Sequence, residues 1–283
     1  MNVKNKSFVL FLGMLSTVAF AQINLGEKAL GALQKGVAGF TFSNEQAAAL
    51  AKEGVRKLDS ANVVAGTNNG YSLRLQRIFG KHAAENNLKL NYKVYLSSEV
   101  NAFACADGSV RVYSGLMDRM DDNQLLAVIG HEIGHVVNED SKDAMRVALK
   151  KSALFDAVAS QSDKIGKITE GQAGQIASAV IDCKYSRIQE TDADTFAYAF
   201  MNQHNYDVNA VESAFLILAQ LSEGSQSNFI TRMLNTHPDP KDRAQKARER
   251  AVAEGKYKAY VQQPIRNTVA AKPTKKKPTK KKR

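Results

Sequence analysis

Three residues with a fixed spacing carry the strongest chemical signal in this sequence. His131, Glu132 and His135 form an H-E-x-x-H string. On an α-helix, positions i and i+4 share one face, so both imidazoles can bind a single zinc ion. Glu132 lies beside the first histidine and can reach a water molecule held at that metal. The string therefore predicts the core of a zinc hydrolase.

The residues around this string predict the helix that such chemistry requires. Residues 121–124, Asp-Asp-Asn-Gln, are typical of a helix start with acid in the first turn. A surface helix with two ordinary histidines is the alternative, but an apolar stripe beside the histidines favours a partly buried cleft. The stripe consists of Leu125, Leu126, Ile129, Ile133, Val136 and Val137.

A catalytic zinc needs a third protein ligand, and the best candidate lies downstream. Residues 174–194 predict one long helix, and one of its faces carries Arg187, Glu190 and Asp194 among apolar residues. Buried charges are costly without partners, and a metal site would supply them. We expect Glu190 to bind zinc and Asp194 to accept the N–H of a ligand histidine. Arg187 would balance the charge or hold a substrate carbonyl, and a structural ion-pair cluster is the alternative.

Taken together, these stretches resemble a known enzyme family. His131–His135, followed by Ser-Arg-x-x-Glu-x-x-Ala-Asp at residues 186–194, is similar to metallopeptidase family forty-eight. That family includes the CAAX prenyl endopeptidases and the HtpX membrane heat-shock proteases. Residues 101–118 most resemble its small bacterial envelope members of the LoiP type. The resemblance covers roughly residues 43–255.

The resemblance implies a gluzincin-like fold and assigns roles to matching residues. His131, His135 and Glu190 would hold zinc, and Glu132 would act as the general base. Asp192 departs from the family pattern, because members often carry Glu at this position. Since Asp192 is not a predicted ligand, the departure leaves the predicted metal site unchanged.

The chain before the motif helix predicts a β-hairpin. An Asp-Gly turn joins residues 101–105 to the apolar strand that follows. The resemblance implies that Asn101, Ala102, Phe103 and Ala104 form a sheet edge to which a substrate peptide adds as an extra strand. An ordinary core hairpin is equally consistent with the residues themselves.

Three further histidines remain to be interpreted. His237 stands before proline at a point where the family has a His-Pro near the zinc. The resemblance implies that His237 either stabilises the oxyanion or occupies the open coordination position at rest, and a plain loop histidine is the alternative. His82 and His204 have no motif around them, so we expect ordinary histidines.

The sequence contains two cysteines, Cys105 and Cys183. An even pair in an exported protein predicts one disulfide, which would tie the strand to the helix that bears Glu190. Two free buried thiols are the alternative. Cys183 is a poor candidate for a zinc ligand, because two helical turns separate it from Glu190.

The N-terminal end predicts export. Residues 1–21 have the pattern of a cleavable signal peptide, since Lys4 and Lys6 precede an apolar run too short to span a membrane. Residues 22–42 support no clear prediction, and 43–263 are expected to form the peptidase domain. No later stretch is apolar enough for a transmembrane span, so the mature protein is expected in the periplasm, peripheral to a membrane, or secreted.

Positive charge is concentrated at the other end. The formal net charge is +11, but eight positive charges lie in Lys272 to Arg283 and two in the signal peptide. The remaining body carries about +1, which does not predict nucleic-acid binding. Residues 264–283 are predicted to be a disordered basic tail that binds an anionic envelope surface, and a merely solvated tail is the alternative.

These observations predict an α+β, predominantly helical zincin domain with a small antiparallel sheet. The expected activity is that of a zinc-dependent metalloendopeptidase with one zinc ion, acting on protein or peptide substrates such as misfolded or envelope proteins. One alternative is an envelope chaperone or assembly factor with the same fold, which a broken motif would indicate. Another is a wall- or lipid-binding protein whose basic tail is the functional part.

Overall fold

The architecture is described from a computed structural model, for residues 42–151, 169–223 and 227–267. The predicted signal peptide, residues 22–41 and the tail beyond residue 267 lie outside the described residues. The helices are α1 (Asn44–Ala61), α2 (Gly70–Phe79), α3 (Ser114–Met117), α4 (Asp122–Val137), α5 (Asp140–Lys151), α6 (Glu170–Ile181), α7 (Arg187–Gln203), α8 (Asn209–Glu223), α9 (Ser227–Thr236) and α10 (Pro240–Ala253). The strands are β1 (Ala84–Glu85), β2 (Leu88–Lys89), β3 (Asn91–Tyr95), β4 (Ala102–Ala104) and β5 (Ser109–Tyr113).

Helices predominate over a small sheet, which confirms the predicted fold class. The main sheet has the order β3-β5-β4, with β4 antiparallel to β5 as the predicted hairpin requires. The prediction of an antiparallel sheet is wrong in one respect: the sheet is mixed, because β3 runs parallel to β5. This arises because β5 inserts between β3 and β4, which are neighbours in sequence. Among the described helices, none is both long and apolar enough to cross a membrane.

Both faces of the main sheet are buried, and successive residues alternate between them. Val94, Ala102 and Val112 belong to the larger core, which contains residues of α4, α7 and α8. Tyr95 and Phe103 belong to a second core, which contains residues of α1 and α6. The sheet is therefore covered by helices on both sides, and the H-E-x-x-H helix packs on one of them.

Helix α4 begins where the sequence predicted. Asp121 accepts a hydrogen bond from the backbone N–H of Gln124, whose side chain accepts one from the backbone N–H of Asp121. This reciprocal pair satisfies donors that the first helical turn leaves free. The predicted start is confirmed, and the helix continues through both motif histidines to Val137.

Two glycines allow α4 to pack closely against α7. A Cβ added at Gly134 would lie 3.0 Å from the Cα of Ala193, and one at Gly130 would lie 3.1 Å from a ring carbon of Phe200. Both distances are shorter than ordinary van der Waals contact, so larger residues would push the helices apart. Gly134 lies between the two motif histidines, and Ala193 lies one turn after Glu190. The close contact therefore sets the distance between the predicted zinc ligands.

The prediction of one helix over residues 174–194 is wrong. The chain leaves the helical conformation after Ile181, and α7 begins anew at Arg187. Ser186 is the reason, because its side chain accepts from the backbone N–H of Gln189 while the Gln189 side chain accepts from the backbone N–H of Ser186. This capping box starts a new helix in place of continuing the old one.

A buried ionic cluster fastens α1 to the sheet. Asp59 accepts hydrogen bonds from Arg111 at 2.8 and 3.0 Å, from Lys93 at 2.7 Å and from Tyr95 at 2.7 Å. The Arg111 side chain is only 2% exposed, so its charge depends on this carboxylate. Burial raises the pKa of Asp59, but the hydrogen bonds from Arg111, Lys93 and Tyr95 outweigh it and lower that pKa to about 2.

We expect Asp59→Asn to lower the free energy of unfolding at pH 7 by about 2 kcal/mol, because Arg111 loses its counter-charge. Partial exposure of the carboxylate reduces this figure below that of a fully buried pair. The pKa of Asp59 is lower in the folded state, so the stabilisation is present above about pH 4 and is lost as the pH falls towards 2. Urea unfolding at several pH values measures it, with the exposed Asp143→Asn as control. An equal loss in both variants would contradict the assignment.

Candidate metal centre

The two motif histidines meet at the buried end of α4. Their side chains are 2% and 1% exposed, and the Nε2 atoms of His131 and His135 lie 3.1 Å apart. Donor atoms at this separation fit the edge of a coordination sphere with metal–nitrogen bonds of about 2.0–2.1 Å. The i, i+4 spacing therefore brings both Nε2 atoms to one metal position, as the sequence predicted.

Glu190 enters the same centre from the first turn of α7. Its Oε1 lies 3.3 Å from His135 Nε2, and its Oε2 lies 3.6 Å from His131 Nε2. The carboxylate is 3% exposed. Ligand atoms from His131, His135, Glu190 and His237 all lie within 4.8 Å of one another. The structure thus brings the three predicted ligands and the predicted fourth histidine into one cluster.

The other nitrogen of each motif histidine faces a carboxylate. Asp194 Oδ1 lies 2.9 Å from His131 Nδ1, where the sequence placed it, and Asp140 Oδ2 lies 3.0 Å from His135 Nδ1. When a carboxylate takes the Nδ1–H, the Nε2 lone pair is left free for a metal. The sequence reasoning missed Asp140, which stands at the start of α5, five residues beyond His135.

Tyr185 covers one side of the centre. Its ring is stacked on His135, with ring centroids 3.7 Å apart and an interplanar angle of 9°. The residue lies in the break between α6 and α7, which the sequence reasoning assigned to a continuous helix. No motif identified Tyr185, because its position depends on that unpredicted break.

The cation of the centre is Arg243, and the prediction that Arg187 balances the charge of the centre is wrong. Arg243 Nη1 lies 2.7 Å from Glu190 Oε2, and its Nη2 and Nε lie 2.6 and 2.9 Å from the two oxygens of Asp194. The Arg187 side chain is 86% exposed and pairs with Asp239 at the surface. The new helix start turns Arg187 outward, because it becomes the first residue of α7. Arg243 lies in the first turn of α10. Its closeness in sequence to the His-Pro-Asp-Pro run at residues 237–240 was the one signal that could have identified it.

His237 belongs to the centre, so the loop-histidine alternative is wrong. Its Nδ1 lies 3.0 Å from Glu190 Oε1 and 3.2 Å from His131 Nε2, while its Nε2 lies 3.6 Å from Glu132 Oε1. The side chain is 6% exposed. Its backbone N–H donates to the carbonyl of Met233, which attaches the residue to the end of α9.

Burial and neighbouring charges tune the two carboxylates differently. Burial, reinforced by the charge of Glu190, raises the pKa of Glu132 to about 7, against the opposing effect of His237. Burial also acts to raise the pKa of Glu190, but His237, His135 and His131 outweigh it, so that pKa is well below its ordinary value. Glu190 is thus the ionised acid suited to bind a cation, and Glu132 is poised to exchange a proton near neutral pH.

The histidines are likewise differentiated. Burial, Arg243 and His135 lower the pKa of His131 to about 3, which keeps this imidazole neutral and able to coordinate. Burial opposes the ionisation of Asp194, but Arg243 and His131 lower its pKa to about 2. Asp194 therefore stays charged and can hold the ring of His131 in one orientation.

The donor set fits a divalent metal of the zinc type. Two imidazole nitrogens and a carboxylate are the ligands of a common catalytic zinc site. Glu132 Oε1 and Glu190 Oε2 are buried without a hydrogen-bond partner, although Arg243 lies within ion-pair distance of the latter. Buried oxygens in this state are expected where a cation and a water molecule complete the site.

The predicted substrate edge lies beside this centre. Strand β4 occupies an outer position in the sheet order β3-β5-β4 and packs along α4. Asn101 precedes it, and all four predicted residues, Asn101 to Ala104, are buried in the structure. The edge position of β4 follows from the topology of the sheet.

The predicted disulfide is absent, and both cysteines are free and buried. The thiol of Cys183 donates to the carbonyl of Ala179, 2.6 Å away in the preceding turn, so it faces its own helix end. Burial raises the pKa of Cys105 well above its ordinary value, and interactions with Asp107 and Cys183 raise it further. The structure thus contains the alternative of two buried thiols.

Comparison with known proteins gives a consistent result. Residues 71–251 match the model of Peptidase family M48. Metalloprotease LoiP and Metalloprotease YcaL of Escherichia coli (strain K12) are each 38% identical over 219 residues, which cover 76% of this chain and 84% of each relative. A Putative beta-barrel assembly-enhancing protease of Vibrio cholerae is 30% identical over 181 residues, 60% of this chain and 36% of that protein.

The two arginines provide a matched pair of variants. We expect Arg243→Met to lower the free energy of unfolding by about 3–5 kcal/mol, because two buried carboxylates lose their counter-charge. Arg187→Met should change it by no more than about 0.5 kcal/mol, as expected for an exposed ion pair. Chemical unfolding followed by circular dichroism measures both. Comparable losses in the two variants would show that Arg243 does not hold the centre together.

Proposed function

The chain belongs to peptidase family M48, and from that premise we propose that it cleaves peptide bonds with one zinc ion bound by His131, His135 and Glu190. The family membership confirms the predicted resemblance and the metalloendopeptidase class. The identity of the ion and the role of each residue are our proposals. The observation that carries them is the convergence of two Nε2 atoms and one carboxylate, with both Nδ1 atoms facing carboxylates.

In this proposal Glu132 moves the proton. The zinc ion, when bound, lowers the pKa of a water molecule towards about 7 and polarises the scissile carbonyl. Glu132 Oε1 accepts a proton from the attacking water, and the same oxygen then gives it to the leaving amine. A pKa of about 7 and an oxygen without a hydrogen-bond partner suit a group that both takes and releases a proton near neutral pH.

We propose that His237 covers the open side of the site at rest. Its Nδ1 is as close to Glu190 and His131 as those residues are to each other, so it stands among the ligands and not outside them. The alternative, stabilisation of the oxyanion, requires a movement of the segment between α9 and α10 that turns this ring towards the substrate.

We further propose that substrate lies along β4 as an added strand. An outer strand offers backbone groups for such pairing, and pockets beside it select side chains. A cavity of about 500 Å³ is lined by residues of the segment before β4, and its lining includes Ser97, Glu99, Asp182, Arg232 and Thr236. Thr236 directly precedes His237 in the chain, so one wall of the cavity adjoins the segment that carries this histidine.

Several expectations about the whole protein remain proposals. Residues 43–263 form the peptidase domain, and residues 1–21 direct export to the envelope, where misfolded or envelope proteins are the substrates. Lys272 to Arg283 bind an anionic envelope surface. The complete H-E-x-x-H string supports a peptidase over a chaperone that keeps only the fold.

We expect Glu132→Gln to retain zinc and the native fold while losing at least about 10²–10⁴-fold in peptide hydrolysis, because the proton carrier is removed. Zinc content and turnover of an unstructured protein such as casein are the two measurements. Glu53→Gln on the exposed side of α1 is the matched control and should behave as the native protein. Turnover at the native rate by Glu132→Gln would refute the mechanism.

The proposal for His237 predicts a change of opposite sign. We expect His237→Ala to raise turnover on a short peptide, because the open coordination position is no longer covered. Steady-state kinetics with zinc analysis test this. A fall of about 10²–10³-fold with zinc retained would instead assign the oxyanion role.

A further inference from the structure

Two histidines with no sequence motif meet at a second cluster, at the far end of α7. His82 ends a 3₁₀ turn after α2, Glu85 lies in β1, and His204 caps the C-terminal end of α7. One ligand atom from each of the three lies within 4.8 Å of the others. His204 is fourteen residues beyond Glu190, so the cluster is about 21 Å from the catalytic centre.

From this arrangement we propose that His82, Glu85 and His204 form a second binding site for a zinc-type divalent cation. Two imidazoles and one carboxylate favour zinc over the harder calcium and magnesium ions. The fourth position would be filled by water, since Glu85 and His204 are 14% and 27% exposed. The distance from the catalytic centre separates this ion from the hydrolytic site.

The distances within the cluster suit such an ion. Glu85 Oε1 lies 3.3 Å from His204 Nε2, which matches the roughly 3.3 Å between ligands of a tetrahedral zinc with bonds of about 2.0–2.1 Å. His82 Nδ1 is 2.5 Å from the same oxygen, so this pair has to open by less than about 1 Å around a metal of that size. Rotation of the partly exposed Glu85 carboxylate can supply that movement.

A hydrogen bond and two apolar rings position the buried side chain of His82. His82 Nε2 lies 2.7 Å from the hydroxyl of Tyr206, which occupies that nitrogen and leaves Nδ1 to face Glu85. Phe79 and Phe200 pack around the His82 ring at centroid distances of 5.1 and 4.9 Å. Metal-binding histidines commonly have their second nitrogen held in this way, within an apolar shell.

One atom of His204 is not explained if hydrogen bonds alone hold the cluster together. Its Nε2 is buried and has no hydrogen-bond partner, although Glu85 Oε1 is only 3.3 Å away. In a cluster held by hydrogen bonds alone, this nitrogen would be paired, because an unpaired buried polar atom costs about 1–3 kcal/mol. A metal between the imidazole and the carboxylate satisfies both.

The site would join elements that are distant in sequence. His82 and Glu85 belong to the segment between α2 and the main sheet, whereas His204 ends the helix whose first turn carries Glu190. An ion here would hold the C-terminal end of α7 against the β1 segment. The second site would therefore stabilise the helix that presents a catalytic ligand, without taking part in hydrolysis.

The test is the zinc content of the full chain after saturation with Zn²⁺ and removal of loosely bound metal by dialysis. We expect His204→Asn and Glu85→Gln each to contain one zinc fewer per chain than the native protein, while both keep the native circular dichroism spectrum and peptidase activity. Asp207→Asn, a nearby acidic residue outside the cluster, is the matched control and should keep the native zinc content. Tyr206→Phe retains the three ligands and should weaken binding about 10–100-fold.

The difference in zinc content between variant and native protein does not depend on whether the catalytic centre holds zinc. If the proposed catalytic zinc were absent, the native chain would contain one zinc and His204→Asn none. A zinc content unchanged by both His204→Asn and Glu85→Gln would overturn the proposal and leave a hydrogen-bonded cluster.

Discussion

The burial of the Glu190 carboxylate is the constraint on which the centre depends. A carboxylate that is only 3% exposed would cost several kcal/mol if it stood alone, so every neighbouring group must compensate its charge. Arg243 does so from α10, and His135 and His237 do so from α4 and the segment after α9. Helices from separate parts of the chain are therefore held together by one buried charge.

The same constraint determines which atoms face the metal position. Arg243 is shared between Glu190 and Asp194, so the cation that neutralises the ligand also keeps Asp194 ionised. Ionised Asp194 then holds Nδ1 of His131, and Asp140 does the same for His135. Both Nε2 atoms are left pointing inward as a result. Coordination geometry here is thus set by the charges behind the ligands as much as by the ligands.

Close packing of α4 against α7 fixes the distance between the residues that would bind zinc. Gly134 lets α4 approach the backbone of α7 at Ala193, and the capping box at Ser186 places Glu190 in the first turn of that helix. Helix α7 also reaches the His82–Glu85–His204 cluster at its other end. Both ends of one helix therefore carry polar groups that need partners, and such a helix has little freedom to slide or rotate.

The local sequence was sufficient for features that depend on neighbours along the chain. The i, i+4 spacing placed His131 and His135 on one face, and the cap at Asp121 determined where their helix begins. The β4–β5 hairpin followed from alternation and an Asp-Gly turn. The break at Ser186 was also encoded locally, as a Ser-x-x-Gln capping box, but the apolar periodicity on either side of it suggested one continuous helix.

Tertiary structure decided the features that depend on residues far apart in sequence. Arg243, and not Arg187, became the buried cation, because the helix break turned Arg187 into solvent and α10 packed against α7. His82 and His204 are separated by more than a hundred residues and carry no shared motif, yet folding places their rings 4.5 Å apart. No spacing rule links such residues, since their contact depends on how whole helices and strands pack.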